Sequence, residues 1–290
     1  VKAGEVLDLG GATVKITRPI LVYGEVRDGV IDATGLAKHE GAIYFPKDST
    51  TGRARNVRVT GGSYNGFSKV WGNNVQIFDC SVAPGTGWGV QILGGDRGLI
   101  DGWRQENTRR GGIYFGDGTA YGVDVECEDW VVRNVTAINS DEEAVFRANT
   151  ARRLLVQDSF FDNTKSRSGK EAVQPRGREI SFERCVILGS TSSGQTPVGV
   201  KQLSDVKFSE CSIYGYNSVE PGGAVTFTRS LLVHRPSWIY NGQTYTLATT
   251  GNGFPITPQA SARGLPEGRA TIQNCTVDAK GVVDAKASRR

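Results

Sequence analysis

The chain has 290 residues, of which 38% are hydrophobic and 22% charged, and its net charge is +4. That length would hold two average domains, yet no linker or compositional break divides it, so one domain spanning 1–290 is expected. No apolar run nears the roughly 20 residues that cross a membrane, and the basic residues are scattered or in isolated pairs such as Arg109-Arg110, Arg152-Arg153 and Arg289-Arg290, so neither membrane insertion nor a nucleic-acid partner is expected. A weakly basic surface tolerates an acidic polymer. Nothing at the N-terminus resembles a signal peptide, and a start at Val1 rather than Met fits a processed or truncated chain.

In chain order, residues 1–50 read as an N-terminal cap region. A short phrase then recurs: two β-like runs separated by one small or polar residue. It appears as VTGGSY at 59–64, VQIFDCSV at 75–82, LIDGWR at 99–104, VVRNVT at 131–136 and VQDSFF at 156–161. It returns as ISFERCVI at 180–187, VKFSECSI at 206–213, VTFTRSLL at 225–232 and TIQNCTV at 271–277. Aligned on the break, the marker residues are Gly62, Cys80, Gly102, Asn134, Ser159, Cys185, Cys211, Ser230 and Cys275, mostly 18 to 32 residues apart. A period in that range signals a stacked array. With β-like runs and no helical stretch, the array is a parallel β-helix of roughly nine or ten coils. Apolar residues three and five places before the break (Ile77 and Val75, Val156 and Leu154, Phe182 and Ile180, Phe208 and Val206, Phe227 and Val225) share one strand face, by period two. The 38 glycines suit a chain that turns at every coil. The stretch 235–267, rich in Gly, Pro, Thr and aromatics, breaks the rhythm and reads as an irregular insertion or long loop.

The repeat assigns four cysteines, Cys80, Cys185, Cys211 and Cys275, to one corner of the coil. There each packs as a small hydrophobe rather than half of a disulfide. Cys127 has no partner in this scheme. Asn134 and Asn274 match the sugar-acceptor pattern Asn-x-Ser/Thr, but at these corners they read as turn residues.

Residues 4–35, GEVLDLGGATVKITRPILVYGEVRDGVIDATG, and the Gly-x-x-x-Gly cadence of GTGWGVQILGG at 85–95 resemble the pectin lyase-like right-handed parallel β-helices. That resemblance covers nearly the whole chain and implies an all-β, right-handed, single-stranded parallel β-helix. The superfamily includes polysaccharide lyases, hydrolases, epimerases and phage tailspikes, and fold does not choose among them. Asn139-Ser140-Asp141 is a loose echo of the Asn-Thr-Asp of polygalacturonase-like enzymes. Their Asp-Asp and Gly-His-Gly, the Asp-Pro-His of alginate epimerases and the Trp-Ile-Asp-His of pectate lyases are absent.

Such folds usually work on the strand after the long loop that follows the corner, here 90–93, 113–115, 144–147, 172–175 and 198–201. Glu142-Glu143-Ala144-Val145 aligns with Lys170-Glu171-Ala172-Val173. With Ala144 and Ala172 inward, Glu143 and Glu171 are expected outward and side by side, roughly 5 Å apart. A carboxylate pair serves acid–base work on a glycosidic bond, or holds Ca²⁺ with Asp117 and Asp141 as further oxygen ligands. The alternative is a solvated ion pair of Glu143 with Lys170. Arg147 and Lys201 are the expected catalytic charge partners, Arg176 a substrate contact, and Tyr114 and Trp88 the stacking surface. Gly111-Gly112 would leave room for a sugar ring. Asp124, Glu126, Glu128 and Asp129 read as an exposed insertion or a cation site. The expected function is an extracellular protein that binds and cleaves an acidic polysaccharide. The alternatives are a tailspike or tail-fibre module, a homotrimer adhering to cell-surface glycan, or a structural β-helix.

Overall fold

At one corner of every coil the backbone turns through a left-handed residue. Asp28, Asn56, Asp79, Gly102, Asn134, Asp158, Arg184, Glu210, Arg229 and Asn274 all have positive φ, from 46° to 76°. Successive members of this column stack in register through the parallel ladders. Asn, Asp and Gly tolerate this conformation best, and where Arg or Glu occupies it an ion pair runs along the stack. Arg184 pairs with Asp158 (2.7 Å) and Arg229 with Glu210 (2.9 Å). The computed structural model describes residues 1–62, 64, 66–116, 126–166, 170–189, 198–200, 204–215, 217–235, 237–246, 256–258 and 266–279.

The next position is the buried corner column: Val57, Cys80, Trp103, Val135, Ser159, Cys185, Cys211 and Ser230. This revises three markers. The corner before Cys80 is Asn56–Val57, not Gly62, while Gly102 and Asn134 are the left-handed residues of their coils and Trp103 and Val135 follow them. The expectation of a small or polar residue there fails at Trp103, which is fully buried, packs edge-on against Phe67 (4.9 Å) and donates from Nε1 to Gln105 Oε1 (3.0 Å). Elsewhere the column bonds along the stack: Val135 N–H donates to Ser159 Oγ and Cys211 N–H to Ser230 Oγ, both at 3.1 Å. All five cysteines are free thiols.

The strands before and after this corner form one 21-stranded sheet. The third side is a seven-stranded sheet of Ile20–Leu21, Gly41–Phe45, Gly66–Val70, Trp88–Ile92, Ile113–Phe115, Phe146–Ala148 and Val173–Pro175, adjacent in that order. A bridge from Val173 to Val198 continues it toward Gly199–Val200, Asn217–Val219 and Ile256–Pro258. The chain is an all-β parallel β-helix. Among the described residues there is no helix, and the one antiparallel pair is the hairpin Ser237–Tyr240 with Gln243–Thr246.

The core runs the length of the stack. Phe182, Phe208 and Phe227 occupy the same position on successive coils, with ring centroids 4.8 and 5.2 Å apart and planes within 13°. Residues 1–50 already form regular coils, since Val6–Asp8 and Thr13–Lys15 both pair with Glu25–Asp32. Within 235–267 the hairpin is regular. Asn241 and Gly242, both at positive φ, make its two-residue turn. Trp238 and Tyr245 pack on Leu188 and Val233, on the outer face of the large sheet. Two acidic residues of the 124–129 cluster serve the same architecture: Asp129 pairs with Arg153 (2.6 Å), and Glu128 with Arg152 and Arg153. Asp124 lies outside the described residues.

Candidate functional site

The outer face of the seven-stranded sheet carries a row fixed by register: Tyr44, Lys69, Gln91, Tyr114, Arg147 and Gln174. Period two places these side chains outside while Ile113, Phe115, Phe146, Ala148 and Val173 fill the core. Arg147 is the centre of this row. Its guanidinium lies 5.0 Å from the Tyr114 ring centroid, its Nη1 donates to Glu143 Oε2 at 3.0 Å, and its Nε donates to Asn149 Oδ1 at 3.1 Å. Asn149 Nδ2 in turn donates to Tyr114 Oη at 2.9 Å. The cation is thus held on three sides by groups from two coils.

Glu143 and Glu171 come together only through the backbone. The sheet pairs Phe146 with Val173 and Arg147 with Gln174, one residue out of step with the alignment of Ala144 on Ala172. The register neighbour of Glu143 is therefore Lys170, and that of Glu171 is Ala144. The buried Asn163 fastens this junction: its Nδ2 lies 3.4, 3.0 and 3.1 Å from the carbonyls of Glu143, Lys170 and Glu171, and its Oδ1 accepts from Ser140 N–H at 2.8 Å. The two side chains then part. Glu143 stays half-exposed on Arg147, while Glu171, 8% exposed, accepts from Gln174 Nε2 at 3.1 Å. A Cβ on Gly199 would sit 2.7 Å from Glu171 Oε1, so that glycine is what admits the carboxylate.

The space beside Gly111 is not open for a sugar. A Cβ there would lie 3.0 Å from Trp88 Cζ3, because the Trp88 indole fills it. Trp88 is tilted 56° to Tyr114 with centroids 5.6 Å apart, and the Arg110 guanidinium lies 5.9 Å from its ring. Tyr114 is 3% exposed beneath Arg147 and Trp88, so it props the cation rather than offering a face. Trp88 is half-exposed and does offer one.

Arg176 lies just past the sheet, its side chain exposed and its N–H on Ala148 O at 2.6 Å. Asp141 is half-buried where its N–H meets Thr108 O (3.1 Å). Asp117 and Lys201 lie outside the described residues. Among the described residues no three His, Cys, Asp or Glu side chains are grouped to hold a metal ion, so no Ca²⁺ chemistry is built on Asp141. Asn163, Asn149 and the hairpin were missed by the sequence reading. Asn-Gly between Tyr240 and Gln243 is a hairpin signal. Asn163 has no local signal, because one of its partners lies 23 residues away.

In three dimensions the chain is similar to the A-module of the mannuronan C-5 epimerase AlgE6 from Azotobacter vinelandii, with a TM-score of 0.51 and 13% identity over 94% of this chain and 90% of that one. The pectate lyase Bsp165PelA from Bacillus sp. N165, solved with trigalacturonate, matches with a TM-score of 0.40 and 11% identity over 92% of this chain and 78% of that one. The surface adhesin PfbA of Streptococcus pneumoniae matches with a TM-score of 0.38 and 11% identity over 94% and 82%. No protein-family model and no curated protein matches the sequence. The chain has the pectin lyase-like parallel β-helix fold. Identities this low speak to architecture and leave the chemistry to the site itself.

Proposed function

We propose that the protein binds an acidic polysaccharide across the outer face of the seven-stranded sheet and cleaves it by β-elimination at Arg147 and Glu143. The observation that carries this is the Arg147–Glu143 ion pair, 3.0 Å long and part-exposed, seated on Tyr114 beside the half-exposed Trp88. A uronate carboxylate competes with Glu143 for the guanidinium, since both are planar two-oxygen acceptors. Binding thereby neutralises the substrate carboxylate and releases Glu143 as a base next to it. Glu143 takes the proton α to that carboxyl group, a C=C bond forms in the sugar, and the glycosidic C–O bond at the β carbon breaks; its oxygen takes a proton from solvent water and leaves as a hydroxyl, and Glu143 returns its proton to solvent. Hydrolysis would need two carboxylates flanking the bond, and Glu171 is turned away into Gly199 and Gln174. The epimerase A-module of similar fold is named for mannuronan, a uronan, which agrees with this substrate class. Such a role belongs outside the cell or on a virion, in a monomer or a homotrimer, which sizing would distinguish.

The test is absorbance near 235 nm on polygalacturonate and alginate, with binding measured separately by calorimetry. Glu143→Gln is expected to lower the elimination rate at least about 100-fold while binding persists. Arg147→Ala is expected to weaken both. Elimination by Glu143→Gln at the wild-type rate would overturn the assignment, and binding without elimination would replace the lyase with an adhesive role.

A further inference from the structure

Beside this site is a cluster of positive charge that the elimination does not use. Three cations surround one ring: the Tyr64 centroid is 4.2 Å from Arg109 Cζ, 5.5 Å from Arg110 Cζ and 5.1 Å from Lys38 Nζ. His39 meets the same ring edge-on at 5.7 Å. Arg110 Nη1 lies 3.3 Å from His39 Nδ1. His39 is held there by a left-handed backbone, φ 67°. One carboxylate, Glu142, accepts from both Arg109 (3.3 Å) and Arg110 (3.1 Å). It offsets one of three charges, so the cluster is left about two charges positive.

The cluster is continuous with the site. Arg110 touches both Tyr64 and Trp88, Trp88 touches Tyr114, and Tyr114 carries Arg147, each step under 6 Å. In register, Trp88 pairs with Gly66, two residues after Tyr64, and Gln91 leads through Tyr114 to Arg147. Three rungs therefore separate the Tyr64 coil from the Arg147 coil, roughly 14 Å at a strand spacing of roughly 4.8 Å. A monosaccharide cannot reach both, whereas a short oligosaccharide lying along the stack can.

We infer that Lys38, Arg109 and Arg110 around Tyr64 form a second anion subsite, which takes another carboxylate of the same uronan chain whose reacting sugar sits at Arg147. This inference rests on the binding face proposed above. Arg109 and Arg110 hold the incoming carboxylate in place of Glu142, Tyr64 keeps the cations oriented, and Trp88 spans the sugars between the two grips. The pattern selects chains with repeated charge over chains with a single charged end, through two linked contacts rather than one strong one.

The experiment is calorimetric binding of oligogalacturonides of defined length, two to eight residues, at two salt concentrations, with a sulfated oligosaccharide and a neutral hexose oligomer alongside. The wild-type protein should show a step of about tenfold in affinity once the oligomer reaches both subsites. Arg109→Gln with Lys38→Gln should abolish the step and flatten the salt dependence, whereas Arg109→Lys with Lys38 intact should keep most of it. Thermal melts check that each variant folds. A step that survives in the double variant overturns the subsite, and a sulfated chain bound tightly with no step for uronides overturns its carboxylate assignment. In both cases weakened binding by Arg147→Ala leaves the binding face standing. If Trp88→Ala and Arg147→Ala both bind as wild type, the face itself is wrong.

Discussion

Replacing Phe208 by Ala tests how the stack holds together. Phe208 is fully buried and lies between Phe182 and Phe227, at 4.8 and 5.2 Å, in the register that pairs all three strands. Truncating a buried Phe costs about 3–5 kcal/mol through lost transfer energy and the cavity left behind. Two near-parallel ring contacts are lost as well, each worth about 0.5–1.5 kcal/mol beyond area, which places the expected cost near the top of that range, about 5 kcal/mol. Each coil touches only its neighbours, so the damage is concentrated at the interfaces with the coils of Phe182 and Phe227. Four of the five tryptophans, Trp71, Trp88, Trp103 and Trp130, lie in earlier coils. Urea unfolding should therefore show the far-UV circular dichroism midpoint falling further than the tryptophan fluorescence midpoint. Lys207→Ala, an exposed neighbour on the same strand, should change stability by no more than about 0.5 kcal/mol. A Phe208→Ala loss below about 1.5 kcal/mol, or equal shifts of both midpoints, would refute the additive, nearest-neighbour account.

Asp162 is buried, and its desolvation holds the carboxyl above its ordinary pKa although its Oδ1 accepts from Thr164 N–H (2.8 Å) and Oγ1 (2.6 Å). The folded state then binds this proton more tightly than the unfolded state, so its contribution to stability falls as pH rises from about 3.9 through the raised folded value. Asp162→Asn keeps an oxygen for Thr164 and removes that penalty, so it should gain more relative to wild type in thermal melts at pH 7 than at pH 3; equal gains would exclude the desolvation cause. Burial also pushes the Cys80 and Cys127 thiols up to about 12, whereas Cys275 is only partly buried. A thiol reagent at pH 8 should modify Cys275 first and the other four only as the protein unfolds. Fast modification of Cys80 would show that the corner column opens in the native state.

The repeat was legible because each coil must solve the same local problem. The apolar residues three and five places before the corner are all core, and the fold follows from their period. The corner itself was read one position early at Gly102 and Asn134, because a left-handed backbone, not small size, is the requirement there, and Trp103 can follow it when Phe67 and Gln105 receive its ring. At the site, sequence alignment brought Glu143 and Glu171 to adjacent coils but set their strands one residue out of step. The register is decided by Phe146 on Val173, and the one-residue slip sends one carboxylate to Arg147 and the other over Gly199.

The sequence by itself determined the parallel β-helix, the core that runs along its stack, and the packing role of the corner cysteines, because period two and the recurring corner act over a few residues at a time. Only the tertiary structure decided which residues face each other across coils. Lys38, Tyr64, Arg109 and Arg147 lie far apart in the chain and share one surface, because long loops of unequal length are threaded between rungs of constant spacing. Loop lengths set those meetings, and no local pattern encodes them.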